Sequence, residues 1–349
     1  MPFDEQRLLE TPDGTALNLF VKKARQAAHA VVQINHGLSE HAGHYAAFAN
    51  FLAERGFHVY AQDHRGHGGT KAEDALPGMF ARKDGVKKVV ADVASVHDLI
   101  ATEHPGLPVI LFGRSAGGLI ALSFLCQRLR SVAGAAIWNY PEQPRLSSRA
   151  ARLLLGWERF RLGSDAPSRL LPLFMADAVS RATAYGEISP TPIGFADHLS
   201  PTLVGERKDA LPRGRSFLSP VERGRGGLRS RSEWGSTGDR LGAIKETFTA
   251  DPSPGQVPTI SLWSDVFAMM TELSKPGAFD RSDPDLPVHL VGDGGGSGTA
   301  FADRLRRKGF SNLVSRIYAE NQCDCLNGPD GTKLMQDFTA WIDRGVLER

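Results

Sequence analysis

The sequence predicts an α/β protein in which helices cover both faces of a mostly parallel β-sheet. Two observations support this class: short apolar runs alternate with segments of helical period, and a Gly-x-Ser-x-Gly turn joins one such run to the next helix. The chain has 349 residues, of which 41% are hydrophobic, so it can form a sizeable core, either as one large domain or as a core with an inserted subdomain.

The first 139 residues show the alternation most clearly. The turn sequence Pro12-Asp13-Gly14 lies between two strand-like runs and predicts a hairpin near the start. Ala30–Ile34 is an apolar run of the kind expected for a strand buried on both faces. Further strands are expected at 57–61, 108–112 and 132–138, and helices at 44–55, 86–102 and 117–128.

The alternation breaks between residues 140 and 259, which we interpret as an insertion between two parts of one core, 1–139 and 260–349. A helix is expected at 149–161, whereas 211–240 is rich in Arg, Gly and Ser and has no apolar period. Such a composition is typical of a flexible surface loop; the alternative, an RNA-binding segment, lacks interleaved aromatic residues. In the last part, strands are expected at 286–291 and 312–318, and helices at 299–308 and 333–344.

Composition argues against several classes of protein. A formal net charge of +2 disfavours a dedicated nucleic-acid binder, and three cysteines are too few for a disulfide framework. No apolar run approaches the about 18 residues that a transmembrane helix needs, and the polar first residues are unlike a secretory signal. The expectation is a soluble, cytoplasmic protein without a cofactor or a metal.

The turn at residues 113–118 is the strongest indication of chemistry. A Gly-x-Ser-x-Gly sequence between a strand and a helix is the context in which a serine nucleophile occupies a strained turn. Gly113 and Gly117 would let the backbone fold tightly, so that Ser115 projects above the sheet. The alternative is a glycine-rich turn with a purely structural role.

A second loop supplies the remaining part of an oxyanion hole, which needs two backbone N–H groups. Asn35-His36-Gly37-Leu38 follows the strand at 30–34. We expect the N–H groups of Leu38 and Ala116 to be the two donors, with Gly37 allowing the chain to approach.

A third loop, Asp63-His64-Arg65-Gly66-His67, contains two histidines and an aspartate within five residues. This pattern suggests a metal site, but nothing in the sequence supplies a third ligand from elsewhere. A hydrogen-bonded structural loop is the favoured interpretation.

Several motifs resemble the monoacylglycerol lipase and lysophospholipase group of the α/β-hydrolases. They are the turn at 113–118, NHGLSEH at 35–41, FANFLAERGFHVYAQDHRGHG at 48–68, SLWSDVFAMM at 261–270, RIYAE at 316–320 and DFTAW at 337–341. The resemblance implies an eight-stranded hydrolase core with a cap inserted after the sixth strand. It also implies hydrolysis of lipid or other carboxylic esters by a Ser-His-Asp triad. A transient contact between the cap and a membrane surface is left open.

Compared with this group, the triad is incomplete. In this fold the acid and then the histidine follow the serine, yet the last histidine of the chain, His289, lies inside a predicted strand. Cys323 occupies the position of the group's catalytic histidine, and cysteine is a poor substitute for imidazole in proton transfer. Asp293 is the tentative acid, although the group's aspartate aligns near Gly296.

Other departures and thiols leave alternatives open. Arg114 and Ala116 replace the group's usual His and Met beside the nucleophile, and His198 in the insertion could reach the site only by an unusual arrangement. Cys323 and Cys325 could form a thiol nucleophile or half a metal site, although inert loop thiols are favoured. Cys126 is expected on a helix, with its side chain in the protein core.

Two hypotheses of function follow. The first is a serine hydrolase of lipid esters, impaired by the missing histidine; the second is a catalytically crippled α/β-hydrolase that binds but hardly turns over its ligand. A dehydrogenase is disfavoured because Ser115 stands where a dinucleotide-binding fingerprint needs glycine. A shifted reading frame in GC-rich DNA would also produce the unusual composition of the insertion and the tail.

Overall fold

The structure is a computed structural model that describes residues 3–38, 40–128, 132–140, 145–171, 257–293, 297–318, 326 and 331–348. The predicted loop at 211–240, together with His198, Gly296 and Cys323, lies outside these residues.

An eight-stranded sheet forms the centre of the fold, in the order β1-β2-β4-β3-β5-β6-β7-β8. The pairs β1–β2 and β2–β4 are antiparallel, and all the others are parallel. This sheet confirms the predicted class and the strand number that the resemblance implied. The strands are β1 (Glu5–Glu10), β2 (Ala16–Lys22), β3 (Ala30–Asn35), β4 (Phe57–Gln62), β5 (Val109–Arg114), β6 (Gly134–Trp138), β7 (Val288–Asp293) and β8 (Leu313–Tyr318).

Helices cover both faces of this sheet. They are α1 (Ala46–Ala53), α2 (Gly85–Glu103), α3 (Ala116–Arg128), α4 (Arg145–Leu162), α5 (Ile260–Leu273), α6 (Ser297–Arg307) and α7 (Gly331–Ile342). Apolar side chains of α2, α3, α5 and α6 pack together on one face, and those of α1 and α7 pack on the other. Neighbouring residues of β5 alternate between the two faces: Leu111 joins the first group, whereas Ile110 and Phe112 join the second.

The predicted helix at 44–55 differs from the structure at its start. Ala42–Tyr45 forms a 3₁₀ turn, and α1 begins only at Ala46. The reason is the side chain of His41, whose Nδ1 accepts a hydrogen bond from the Gly43 N–H at 3.1 Å and so caps the tighter turn.

The described ends of the 140–259 segment are attached to the core. Helix α4 packs against α5, and the backbone of Pro167 bridges to that of Thr259. The Ile260 N–H also donates to the Ala166 carbonyl at 2.9 Å. The segment thus leaves the core after β6, where the resemblance places a cap. The boundaries of the insertion at residues 139 and 259 stay predictions.

Candidate functional site

The candidate site lies where β3 and β5 end, side by side at the carboxyl edge of the sheet. Asn35 pairs with Gly113 in the parallel register of these strands. The loop that follows β3 (residues 36–38 and 40, called the β3 loop below) therefore leaves the sheet next to the turn at Ser115. The two segments that the sequence analysis selected are neighbours.

Ser115 has the strained backbone expected of a nucleophile turn. Its φ is 52°, in the left-handed region that residues with side chains seldom adopt. The Ser115 N–H donates to the Trp138 carbonyl at 2.8 Å, and the Ser115 carbonyl accepts the Gly118 N–H at 3.0 Å to begin α3. No described residue gives the Ser115 hydroxyl a hydrogen bond.

Gly117 allows the first turn of α3 to contact the β3 loop. A Cβ at this position would lie 2.1 Å from the Asn35 carbonyl oxygen and 2.5 Å from that of His36. Both distances are far below van der Waals contact. Glycine at 117 is therefore required to bring the loop and the turn together.

Two buried residues present N–H groups at this junction. The Leu38 N–H donates to no described residue, and the Ala116 N–H belongs to the first turn of α3, where helical partners are lacking. The side chains of Leu38 and Ala116 are buried in the same apolar cluster. This arrangement suits an oxyanion hole, with the positive end of α3 adding to the field.

Glu40 is a residue of the site that the sequence analysis did not identify. It forms an ion pair with Arg114, the residue before Ser115. The only signal in the sequence is that an acidic residue, Glu40, lies near one glycine turn and a basic residue, Arg114, lies in the other. Opposite charges alone do not show that these two side chains meet.

The loop at Asp63–His67 is held in place by the hydrogen bonds of Asp63. Asp63 accepts hydrogen bonds from the Asn18 side chain at 2.7 Å, from the Ala42 N–H at 2.7 Å and from the Gly69 N–H at 2.8 Å. These bonds tie the loop to β2 and to the 3₁₀ turn.

Three histidines in or beside this loop, His36, His64 and His67, are buried and neutral. Burial lowers the pKa of His36 to about 4 and that of His67 to about 3, and it lowers the pKa of His64 well below its usual value. His36 Nε2 accepts the His64 N–H at 2.9 Å, so its proton resides on Nδ1 and points at the Gly37 carbonyl, 2.8 Å away. The His36 ring thereby supports the β3 loop.

His289 belongs to the core. Its Nδ1 accepts a hydrogen bond from the Trp138 indole N–H at 3.1 Å, and its ring packs against Trp341. Burial lowers the pKa of His289 to about 3. The last histidine of the sequence is thus a neutral packing residue in β7.

Lowering the pH should destabilise the fold through these buried histidines. In the folded chain their pKa values lie below the value of about 6.5 that histidine has in an unfolded chain. Below pH 6.5 the unfolded state therefore binds more protons than the folded state. The contribution of these histidines to stability is present above pH 6.5 and is lost as the pH falls from 6.5 toward about 4 for His36 and about 3 for His289. His289→Gln, whose amide can still accept the Trp138 hydrogen bond, should therefore lose less stability between pH 7.5 and 4.5 than the native chain, by about 1–3 kcal/mol. Urea unfolding at both pH values measures this difference, and equal losses would contradict it.

The remaining predicted residues are placed less fully. The backbone of Asp293 ends β7, two strands from the Ser115 turn in the sheet order. Cys323 and His198 lie outside the described residues. Cys126 on α3 packs partly against the core, and burial raises the pKa of its thiol to about 11, as expected for an inert cysteine.

Comparisons with known proteins find relatives for the first half of the chain. Residues 26–167 match the family model described as serine aminopeptidase, S33. Over 134 residues the chain is 32% identical to the monoglyceride lipase of Homo sapiens, covering 38% of this chain and 42% of that protein. Over 156 residues it is 30% identical to the monoglyceride lipase homolog of monkeypox virus, covering 44% of this chain and 51% of the homolog. The chain thus spans about half the length of these curated relatives.

Solved structures resemble the whole chain. A thermostable carboxyl esterase from Bacillus coagulans has a TM-score of 0.68 at 16% identity, with 99% of each chain covered. Likeness at this level of identity concerns the fold alone. In the described part of the chain, no helix has the length and apolar character needed to span a membrane.

Proposed function

We propose that this chain is an α/β-hydrolase of the monoacylglycerol lipase-like group and that it hydrolyses carboxylic esters of small lipids, using Ser115 as the nucleophile. Monoacylglycerols and lysophospholipids are the substrates we favour. The observation that carries the proposal is the strained φ of Ser115 beside the N–H groups of Leu38 and Ala116.

The proposed reaction forms an acyl-enzyme. The Ser115 hydroxyl oxygen attacks the ester carbonyl carbon, and the carbonyl oxygen becomes an oxyanion that accepts hydrogen bonds from Leu38 and Ala116. The C–O bond to the alcohol then breaks, and the alcohol leaves with the proton that Ser115 lost. Water later attacks the acyl carbon; its oxygen stays on the fatty acid, and one proton restores the Ser115 hydroxyl. Asp293 is the proposed acid of the triad.

The described residues after Ser115 supply no histidine that could accept its proton. The only histidine after Ser115 among the described residues is His289, which is held in the core by Trp138. We therefore expect slow turnover: losing a triad histidine costs about a million-fold in kcat, while the oxyanion hole and binding retain about 10³–10⁴ over water. The second candidate, a binding protein that hardly turns over its ligand, rests on the same observation.

Hydrolysis of p-nitrophenyl butyrate and of a monoacylglycerol tests the proposal. We expect weak or no native activity. If the tail follows the group's alignment, Cys323→His should raise the rate by at least about tenfold, and adding Ser115→Ala should remove that rise. Gly296→Asp added to Cys323→His should raise the rate further. Turnover of the native chain and of Cys323→His that both equal that of Ser115→Ala would favour the binding protein instead.

Helix α4 supports the proposed contact with a membrane surface. Leu153, Trp157 and Phe160 are exposed and lie on one face of the helix, and Arg152 and Arg159 are exposed near them. An apolar face with flanking arginines suits an anionic phospholipid surface.

Phe160→Asp should reduce co-sedimentation with phosphatidylcholine–phosphatidylserine vesicles by roughly tenfold, since it removes apolar burial and adds a negative charge. Ile317→Asp makes the same change at an exposed residue of β8 and serves as the control. Equal binding of both variants would contradict a contact through α4.

A further inference from the structure

An ion pair joins the strand that carries the nucleophile turn to the β3 loop. Arg114 ends β5, and its guanidinium pairs with the Glu40 carboxylate. Only 13% of the Arg114 side chain and 21% of the Glu40 side chain are exposed. Because screening by water and salt is weaker at such burial, this pair is stronger than one on the surface.

The second carboxylate oxygen of Glu40 holds the β3 loop. It accepts a hydrogen bond from the Gly37 N–H at 2.8 Å and another from the Tyr45 hydroxyl at 2.6 Å. Tyr45 is itself buried, with its ring edge-on to Phe112 of β5 at 6.1 Å between centroids. The position of the Gly37 N–H is thus set by a carboxylate that Arg114 and Tyr45 both anchor.

Ionisation of Glu40 is essential to this arrangement. Burial alone would raise the pKa of Glu40, but the charge of Arg114 and the hydrogen bonds from Tyr45 and Gly37 outweigh it and lower the pKa. An ionised carboxylate only accepts hydrogen bonds, so both oxygens can serve the donors around them. Without Arg114, burial would favour the protonated form and the hold on Gly37 would weaken.

We propose that Arg114 is a positioning residue that acts through Glu40 to keep the β3 loop in the conformation that presents the Leu38 N–H to the oxyanion. The Gly37 carbonyl, which shares a peptide plane with the Leu38 N–H, accepts the Glu40 N–H at 3.3 Å. Glu40 therefore holds the peptides on both sides of Gly37, and this sets where the Leu38 N–H points. The proposal rests on the function proposed above, because it gives the Leu38 N–H its catalytic purpose.

Backbone amide hydrogen exchange of the full chain, followed by NMR, tests the restraint without requiring activity. Exchange of the Gly37 and Leu38 amides should be at least about tenfold faster in Arg114→Met and in Glu40→Gln, because their local opening becomes easier. Arg114→Lys, which keeps the charge, should stay near the native rate. Arg306→Met is the matched control, since it breaks an exposed arginine–carboxylate pair with Asp303.

Ester hydrolysis tests the consequence for catalysis. Arg114→Met should lower kcat by about 10–100-fold and change KM by less than about threefold, because oxyanion donors act chiefly in the transition state. Arg114→Lys should recover most of the rate. The double variant Arg114→Met/Glu40→Gln should be no slower than Arg114→Met alone, as expected for residues acting through one contact.

The outcomes separate the two claims. Unchanged amide exchange in Arg114→Met overturns the inference, as does a fall in kcat that is additive with that of Glu40→Gln. If no variant shows hydrolysis that depends on Ser115, the proposed function fails, and the amide exchange alone then decides whether Arg114 holds the loop.

Discussion

Replacing Arg65 with methionine should lower the free energy of unfolding by about 3–5 kcal/mol. Arg65 is fully buried and donates two hydrogen bonds of 2.7 Å to Asp92, and a further one of 2.9 Å to Asp13. Burial raises the pKa of Asp92, and the charge of Arg65 opposes that rise. The variant would leave Asp92, which is 1% exposed, without its partner in the core. Urea denaturation at pH 7 measures the loss.

Two further variants test whether the stability loss in Arg65→Met arises from the buried charge of Asp92. Arg82→Met breaks an exposed pair with Asp165, at 3.4 Å and with 60% of the Arg82 side chain exposed, and should cost at most about 1 kcal/mol. Adding Asp92→Leu to Arg65→Met should restore part of the lost stability, since no uncompensated charge then remains in the core. A loss in Arg65→Met as small as that in Arg82→Met would contradict the network.

Replacing Gly117 with alanine should destabilise the chain by about 2–4 kcal/mol, although alanine is the better helix former. The added methyl group would lie 2.1 Å from the Asn35 carbonyl oxygen, and backbone atoms cannot move away as a flexible side chain would. We expect the β3 loop to shift away from α3, with loss of both stability and any hydrolysis. Thermal or urea unfolding, together with the ester assay, measures the two effects.

Gly156→Ala is the matched control for this prediction. Gly156 also lies inside a helix, α4, but no atom lies within 4 Å of the Cβ that alanine would add. This substitution should stabilise the chain by about 0.5–1 kcal/mol through lower backbone entropy in the unfolded state. If both substitutions stabilised the chain equally, α3 and the β3 loop would not be in contact.

Much of the fold was predictable because its signals are local. The buried runs at 30–34 and 108–112 each precede a turn and a helical period, so β3 and β5 were placed within two residues of their observed bounds. Leu38 and Ser115 could be assigned to one site because an oxyanion hole needs N–H groups beside the nucleophile. The pairing of β3 with β5, which ends the two strands side by side, is visible only in the structure.

The charged contacts were not predictable in the same way. Arg114 and Glu40 are 74 residues apart, and Arg65 and Asp92 are 27 apart. Any of the chain's 39 acidic residues was a possible partner until the strand register was known. The 3₁₀ turn before α1 was also not predictable. The apolar spacing there fits an α-helix, and only the structure shows that the His41 side chain caps a tighter turn instead. The roles of Asp293 and Cys323 stay predictions.

Covalent labelling by a fluorophosphonate is the most direct test of Ser115 as a nucleophile. Such probes are attacked by the serine oxygen and place a stable adduct on it, which intact mass and peptide mapping can locate. We predict one slow adduct per chain, on Ser115, absent from Ser115→Ala and formed faster in Cys323→His. Labelling at another residue, or equal labelling of the native chain and Ser115→Ala, would contradict the account.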